Sequence, residues 1–188
     1  MDEVVVARHG ESEASARGVV GGDTALTERG REQAGELGRQ LSSDEFDLCL
    51  TSPAERARET ARLALGGRDV PVAVESELRD IEFGEWEGKP LEEYRQWVAS
   101  RSPTEAVPGG ESRAATMSRI AGAFRGMLDR QERRLLVVAH GITVSALRDE
   151  RPRPVVDSAP PGGSVRLTRR ELEAAVDRLE RWCESAAW

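Results

Sequence analysis

Two stretches decide the fold: Val4-Val5-Val6-Ala7-Arg8-His9-Gly10 and Leu135-Leu136-Val137-Val138-Ala139-His140-Gly141. Each is a short apolar run without polar alternation, as a strand buried on both faces reads. Each ends on a histidine followed by glycine, and these are the chain's only two histidines. If both runs are parallel strands of one sheet, both imidazoles arrive at one edge. A third run of the same kind, Phe46 to Leu50, supplies another central strand.

Working outward, helical spacing fills the intervals. Thr27 to Leu41 places Ala34, Leu37 and Leu41 on one face. Ser52-Pro53-Ala54-Glu55 predicts a helix capped by Ser52, with Pro53 in its first turn, Glu55 closing a capping box, and Gly66-Gly67 as its stop. From Ser112, a stripe of Met117, Ile120, Ala121, Phe124, Met127 and Leu128 marks a buried face, so these methionines read as core. A last capping box, Thr168 to Glu171, opens a helix over about 168–184, with Leu172, Ala175, Val176, Leu179 and Trp182 facing the sheet. The segment 89–110 reads as a lid, and Arg151 to Gly163, rich in proline, as a connecting loop. Alternating strands and helices predict an α/β sandwich, whose functional groups gather beyond the C-terminal ends of the strands.

Composition narrows the class. At 188 residues the chain is expected to form one domain, 1–188. Its net charge of −7 argues against a general affinity for nucleic acid or an anionic membrane, so any anion site is local. No apolar stretch approaches the roughly 20 residues that span a bilayer, and the acidic start lacks the features of a secretory signal; the expected location is the cytoplasm. Two cysteines, Cys49 and Cys183, are too sparse for a disulfide framework and lack metal-ligand spacing, so no metal is expected. Composition leaves the oligomeric state open.

Arg8 precedes the first histidine, and Arg56 lies in the first turn of the helix after the Phe46–Leu50 strand. Guanidinium groups bind phosphate oxygens through a two-point fork, and a helix start adds free N–H groups. The two arginines and two histidines thus outline a phosphoryl cradle.

Arg8-His9-Gly10-Glu11-Ser12 resembles the R-H-G-[EQ]-[ST] signature of the histidine phosphatase superfamily, also called phosphoglycerate mutase-like, and specifically its phosphatase branch. Further blocks follow in the family's order: Leu26-Thr27-Glu28-Arg29-Gly30-Arg31-Glu32-Gln33-Ala34, Thr51-Ser52-Pro53-Ala54-Glu55-Arg56-Ala57-Arg58-Glu59-Thr60-Ala61, Leu78 to Gly88, Pro108-Gly109-Gly110-Glu111-Ser112 and Val138-Ala139-His140-Gly141. The likeness runs from about residue 4 to Ser164. It implies a three-layer sandwich, a mostly parallel sheet with helices on both faces. It also implies a metal-independent phosphatase acting without a cofactor on a small soluble phosphorylated metabolite. His9 becomes a phosphohistidine that water hydrolyses, while Arg8, Arg56 and His140 hold the phosphoryl oxygens.

Two departures stand out. The family's proton donor is a glutamate where this chain has Asp80, whose arm is shorter by one C–C bond; Glu82, two residues on, is the substitute if the segment is extended. Ser15 stands where the family often has asparagine, so its hydroxyl is a candidate phosphate contact. Trp86, Tyr94 and Trp97 are candidate pocket walls or packing residues. Two rivals share the cradle. A cofactor-dependent phosphoglycerate mutase returns the phosphoryl group to its substrate, but such enzymes are usually longer, with more helical cover. A catalytically silent phosphate-binding module has no need for both histidines and both arginines.

Overall fold

The computed structural model describes residues 1–149, 152–153 and 159–188. Five strands form one sheet: β1 (Glu3–Arg8), β2 (Leu48–Thr51), β3 (Val72–Val74), β4 (Arg134–Ala139) and β5 (Ser164–Thr168). Their order is β3-β2-β4-β1-β5, parallel throughout except that β5 runs antiparallel to β1. Among the described residues seven α-helices accompany them: α1 (Glu13–Ala16), α2 (Glu28–Gln40), α3 (Glu55–Leu65), α4 (Leu91–Ala99), α5 (Arg113–Leu128), α6 (Gly141–Arg148) and α7 (Arg169–Glu184).

The unbroken apolar runs have a direct cause. Successive strand side chains point to opposite faces, and both faces here are covered. Val4, Val6, Leu135 and Val137 pack with Phe124 of α5 and Val176 of α7, while Val5, Ala7, Leu136 and Val138 pack with Leu37 of α2 and Ala61 of α3. The α/β three-layer sandwich, a mostly parallel sheet with helices on both faces, is therefore present as expected. The C-terminal helix is part of the first of these cores, against both the sheet and α5.

Several boundaries shift. The second strand starts at Leu48 and ends at Thr51, two residues later than its apolar run starts, because Phe46 belongs to the loop that packs over α3. Strands β3 and β5 carry no apolar signal: β3 is an exposed edge, and β5 buries only one half-covered face. Ser52 does not cap α3. The N-cap is Ala54 without a side-chain hydrogen bond, because the Ser52 hydroxyl turns toward His140. Within the segment read as a lid, residues 91–99 form α4. Its Tyr94 and Val98 join Ile81, Phe83 and Val107 in a separate small core beside the sheet's C-terminal edge. Of the connecting loop expected over Arg151 to Gly163, residues 151 and 154–158 lie outside the described residues.

Candidate active site

The register of β1 and β4 pairs Arg8 with Ala139, so the next residues, His9 and His140, emerge side by side. Their ring centroids lie 5.3 Å apart at an interplanar angle of 70°. Beyond β2, the Ser52 N–H donates to the Val138 carbonyl (3.0 Å), placing the start of the Ser52–Arg56 segment at the same edge.

Close backbone packing explains two glycines. A Cβ on Gly10 would lie 2.2 Å from the Gly30 carbonyl oxygen, and a Cβ on Gly30 would lie 2.0 Å from that of Glu11. The loop after β1 therefore rests directly on the first turn of α2. It is fixed there by the Glu11 N–H donating to Gln33 Oε1 (2.8 Å) and the Thr27 hydroxyl donating to Glu11 Oε1 (2.8 Å). The blocks around His9 and Thr27, separate in sequence, are one interlocked unit.

His9 is buried, and its Nδ1 lies 2.6 Å from the Gly10 carbonyl oxygen. A carbonyl only accepts, so Nδ1 carries the proton and Nε2 presents its lone pair. The Arg56 Nε donates to that Nε2 at 3.1 Å. Burial, then the neighbouring His140 and Arg56 charges, pushes the His9 pKa well below 6.5, so the ring is neutral at pH 7.

His140 has a partner at each ring nitrogen. The Ser52 hydroxyl, whose oxygen also accepts from the Ala54 N–H (3.2 Å), lies 2.7 Å from His140 Nε2. When that hydroxyl donates, Nδ1 carries the ring proton and faces Asp80 Oδ2 at 3.3 Å; in the other tautomer Nδ1 accepts from Arg56 Nη2, also at 3.3 Å. Burial lowers the His140 pKa to about 4, with Asp80 opposing the shift.

Asp80 reaches the centre despite its short arm: the Arg56 Nη2 donates to its Oδ2 at 3.1 Å. Burial disfavours its charge, but His140, Arg56 and His9 outweigh that and hold its pKa below the usual value. Its backbone is clamped from behind. The Arg119 guanidinium donates to the carbonyls of Arg79 (3.0 Å) and Asp80 (3.2 Å) and pairs with Glu111 at 2.6 Å.

Arg8, His9, Arg56, Asp80 and Ser15 line one open cavity of about 280 Å³; His140 lies directly behind Asp80 and Arg56. Arg8 donates through Nη1 to the Ala159 carbonyl (2.8 Å), while its buried Nε has no partner among the described residues. The structure does not bring Glu82 to the cavity. Residues 79–83 are not a strand, and Glu82 is held outward by Arg79 at 3.1 Å. Ser15 is at the cavity wall, but its hydroxyl donates to the Ser12 carbonyl (2.9 Å) as part of the α1 cap. Of the three aromatics, Tyr94 lines the cavity, whereas Trp86 and Trp97 do not; Trp86 lies 5.9 Å from both Tyr94 and Trp97 in the small core. Sequence reasoning missed Ser52 as the partner of His140, Arg119 as the clamp on Asp80, and Arg95 and Arg113 at the cavity. Only Ser52 had a signal, which also fits a helix cap. Among the described residues, no group of three or more His, Cys, Asp or Glu side chains is placed to hold a metal ion.

Two imidazoles and two guanidiniums at the C-terminal edge of a mostly parallel sheet are the architecture of an α/β phosphotransfer enzyme. The model of the histidine phosphatase superfamily (branch 1) matches residues 4–151, and the chain belongs to that superfamily. Among its relatives, the adenosylcobalamin/alpha-ribazole phosphatase of Salmonella typhimurium is 38% identical over 152 residues, covering 74% of each chain. The 2,3-bisphosphoglycerate-dependent phosphoglycerate mutase of a Methylobacterium species is 35% identical over 161 residues, covering 77% of each. The solved structure of Bacillus stearothermophilus YhfR superposes with a TM-score of 0.76 at 30% identity, covering 87% of this chain and 89% of that one.

Proposed function

We propose that the chain hydrolyses a small phosphorylated metabolite in two steps through His9. Substrate phosphoryl oxygens replace the Asp80 carboxylate on Arg56 and His140 Nδ1–H, and Arg8 supplies a further fork. His9 Nε2 attacks phosphorus in line, the P–O ester bond breaks, and protonated Asp80 delivers its proton to the leaving oxygen. Asp80 is ionised in the free enzyme because it pairs with Arg56. A phosphoryl dianion that takes over that arginine turns the neighbouring charge from positive to negative and raises the Asp80 pKa, which makes it an acid only when substrate is bound. Water then attacks the phosphohistidine, returning its proton to Asp80 and releasing inorganic phosphate. No metal or other cofactor takes part. Two unpaired thiols fit a reducing cytoplasm.

The single observation that carries this reading is the Gly10 carbonyl on His9 Nδ1, which leaves Nε2 as a neutral nucleophile beside a guanidinium. The test is release of phosphate from p-nitrophenyl phosphate, with alkaline quench and peptide mass spectrometry to find a phosphoryl group on the His9 peptide. His9→Ala is expected to remove both signals. Efficient isomerisation of 3-phosphoglycerate, with a trace of bisphosphoglycerate and negligible phosphate release, would instead establish the mutase; neither labelling of His9 nor release of phosphate from aryl or alkyl esters would establish the binding module.

A further inference from the structure

One buried ion pair has no part in the chemistry above. Glu111 precedes the cap of α5 and Arg119 lies within that helix, with side chains 12% and 6% exposed. All five N–H donors of Arg119 are taken. Its Nε and Nη2 donate to the two Glu111 oxygens at 2.9 and 2.6 Å, its Nη1 to the carbonyls of Glu77 (2.8 Å) and Arg79 (3.0 Å), and its Nη2 again to that of Asp80 (3.2 Å). Glu111 grips the same segment directly. Its Oε1 accepts from Arg79 Nη2 at 3.1 Å, its Oε2 from the Glu82 N–H at 3.3 Å, and its own N–H donates to the Glu82 carbonyl at 2.9 Å. Burial disfavours the Glu111 charge, but Arg119 and Arg79 outweigh that and hold its pKa below the usual value.

A buried ion pair is a poor device for stability alone, since packed apolar side chains of similar volume often serve as well. What five fixed donors add is geometry, and every acceptor that Arg119 reaches outside the pair is a carbonyl of residues 77–80. The segment 77–82 carries one polar side chain into the cavity, Asp80. The phosphoryl cradle is held by other contacts: His9 by the Gly10 carbonyl, Arg56 by that of Gly22 (2.9 Å) and Arg8 by that of Ala159.

Asp80 has to change partners in each turnover, leaving Arg56 to meet the leaving oxygen. Its side chain has two rotatable bonds, so a fixed backbone confines the carboxyl to a short arc. A backbone drift of about 1 Å can cost on the order of a hundredfold in rate.

We propose that Glu111 and Arg119 are positioning residues of the reaction, which together hold the backbone of Asp80 at the depth where its carboxyl meets the leaving oxygen. The proposal rests on the reading of Asp80 as the proton donor and deepens it.

The test compares phenyl phosphate with p-nitrophenyl phosphate, whose rings are alike but whose leaving groups differ in their need for a proton. In Arg119→Met and in Glu111→Gln, kcat/KM for phenyl phosphate is expected to fall roughly ten- to a hundredfold, mostly in kcat, and that for p-nitrophenyl phosphate by less than about threefold. Both esters are measured on the same preparation, so partial unfolding cancels from the ratio. Introduced into Asp80→Ala, Arg119→Met should slow phenyl phosphate hydrolysis little further, because the acid that it positions is gone. Where Arg119→Met or Glu111→Gln does not fold, Arg119→Lys reads the same ratio, since it keeps a cation beside Glu111 and loses the fork to the carbonyls. Equal losses on the two esters, no loss on either, or an undiminished further loss in the Asp80→Ala background overturns the positioning role and leaves the phosphatase reading intact. Absence of phosphate release from both esters with the wild type overturns the phosphatase reading and this role with it.

Discussion

Removing one hydroxyl, in Ser52→Ala, tests how the second imidazole works. In the structure the Ser52 hydroxyl lies 2.7 Å from His140 Nε2; when it donates there, the ring proton sits on Nδ1, facing Asp80 Oδ2 at 3.3 Å, the form that can donate to a phosphoryl oxygen. With alanine, Nε2 is buried without a partner, and the ring no longer has a reason to prefer the Nδ1–H form. Arg56 Nη2, 3.3 Å from Nδ1, favours the other tautomer, whose lone pair would repel a phosphoryl oxygen. The selecting interaction is one buried hydrogen bond of about 1 kcal/mol, so kcat/KM should fall roughly five- to tenfold. That is less than the hundredfold or more lost when a transition-state donor is deleted outright. The unpaired nitrogen should also lower stability by about 1–3 kcal/mol. Nitrogen NMR of the imidazoles separates the two effects, since a purely structural role for Ser52 leaves the His140 tautomer unchanged. Unaltered kcat/KM in a folded variant, or a wild-type His140 protonated on Nε2, refutes the reasoning.

Asp80→Ala should slow hydrolysis of alkyl phosphates far more than that of p-nitrophenyl phosphate, whose leaving group barely needs a proton; equal losses on both count against Asp80 as the acid. Gly10→Ala should destabilise the protein by several kcal/mol, seen as a lower denaturant midpoint, because its Cβ would meet the Gly30 backbone at 2.2 Å; an unchanged midpoint would mean that the loop shifts freely. The acid limb of kcat/KM, corrected for the substrate's own ionisation near pH ~6, should lie below pH 6.5, since burial followed by the His140 and Arg56 charges depresses the His9 pKa; a limb at the ordinary histidine value contradicts a buried nucleophile. Stability follows the same sign. The unfolded His140 takes up a proton near pH 6.5 and the folded one only at about 4, so its contribution is complete above the first value and lost as pH falls through the second, a decline that melting curves across that range will show.

The fold was legible wherever burial left a mark on composition. Val4 to Ala7 and Leu135 to Ala139 read as two-sided strands because both of their faces are covered, and Ser112 and Thr168 read as helix starts because their side chains do cap α5 and α7. What escaped was structure held by partners distant in sequence. Strand β3 is exposed at the edge and β5 half-covered, so neither has an apolar pattern to read. The paired histidines and arginines were visible because strand ends deliver them together. Ser52 was misread because its local sequence satisfies a capping box, while the competing bond, to His140, lies 88 residues away. Arg119 and Arg113 sit in an ordinary helical segment; only the fold turns the first onto the backbone at Asp80 and the second onto Tyr94.

The shorter arm of Asp80 acquires a physical account from the same clamp. A carboxylate one bond shorter than glutamate reaches the phosphoryl position only if its backbone stands closer, and Arg119 fixes that backbone through the Asp80 carbonyl at 3.2 Å. The glycine contacts tighten the segment further: a Cβ on Gly84 would lie 2.2 Å from the Pro108 carbonyl oxygen, and one on Gly110 would lie 2.2 Å from that of Glu82. The chain from 80 to 84 is thus pressed against the turn at 108–110 with no room for side chains between them. With Asp80 Oδ2 already 3.1 Å from Arg56 and 3.3 Å from His140, a longer acid would drive its carboxylate into the space that the phosphoryl oxygens must enter. Backbone position and side-chain length compensate each other, and the departure at position 80 is consistent with a working acid because the segment that carries it sits deep enough for an aspartate.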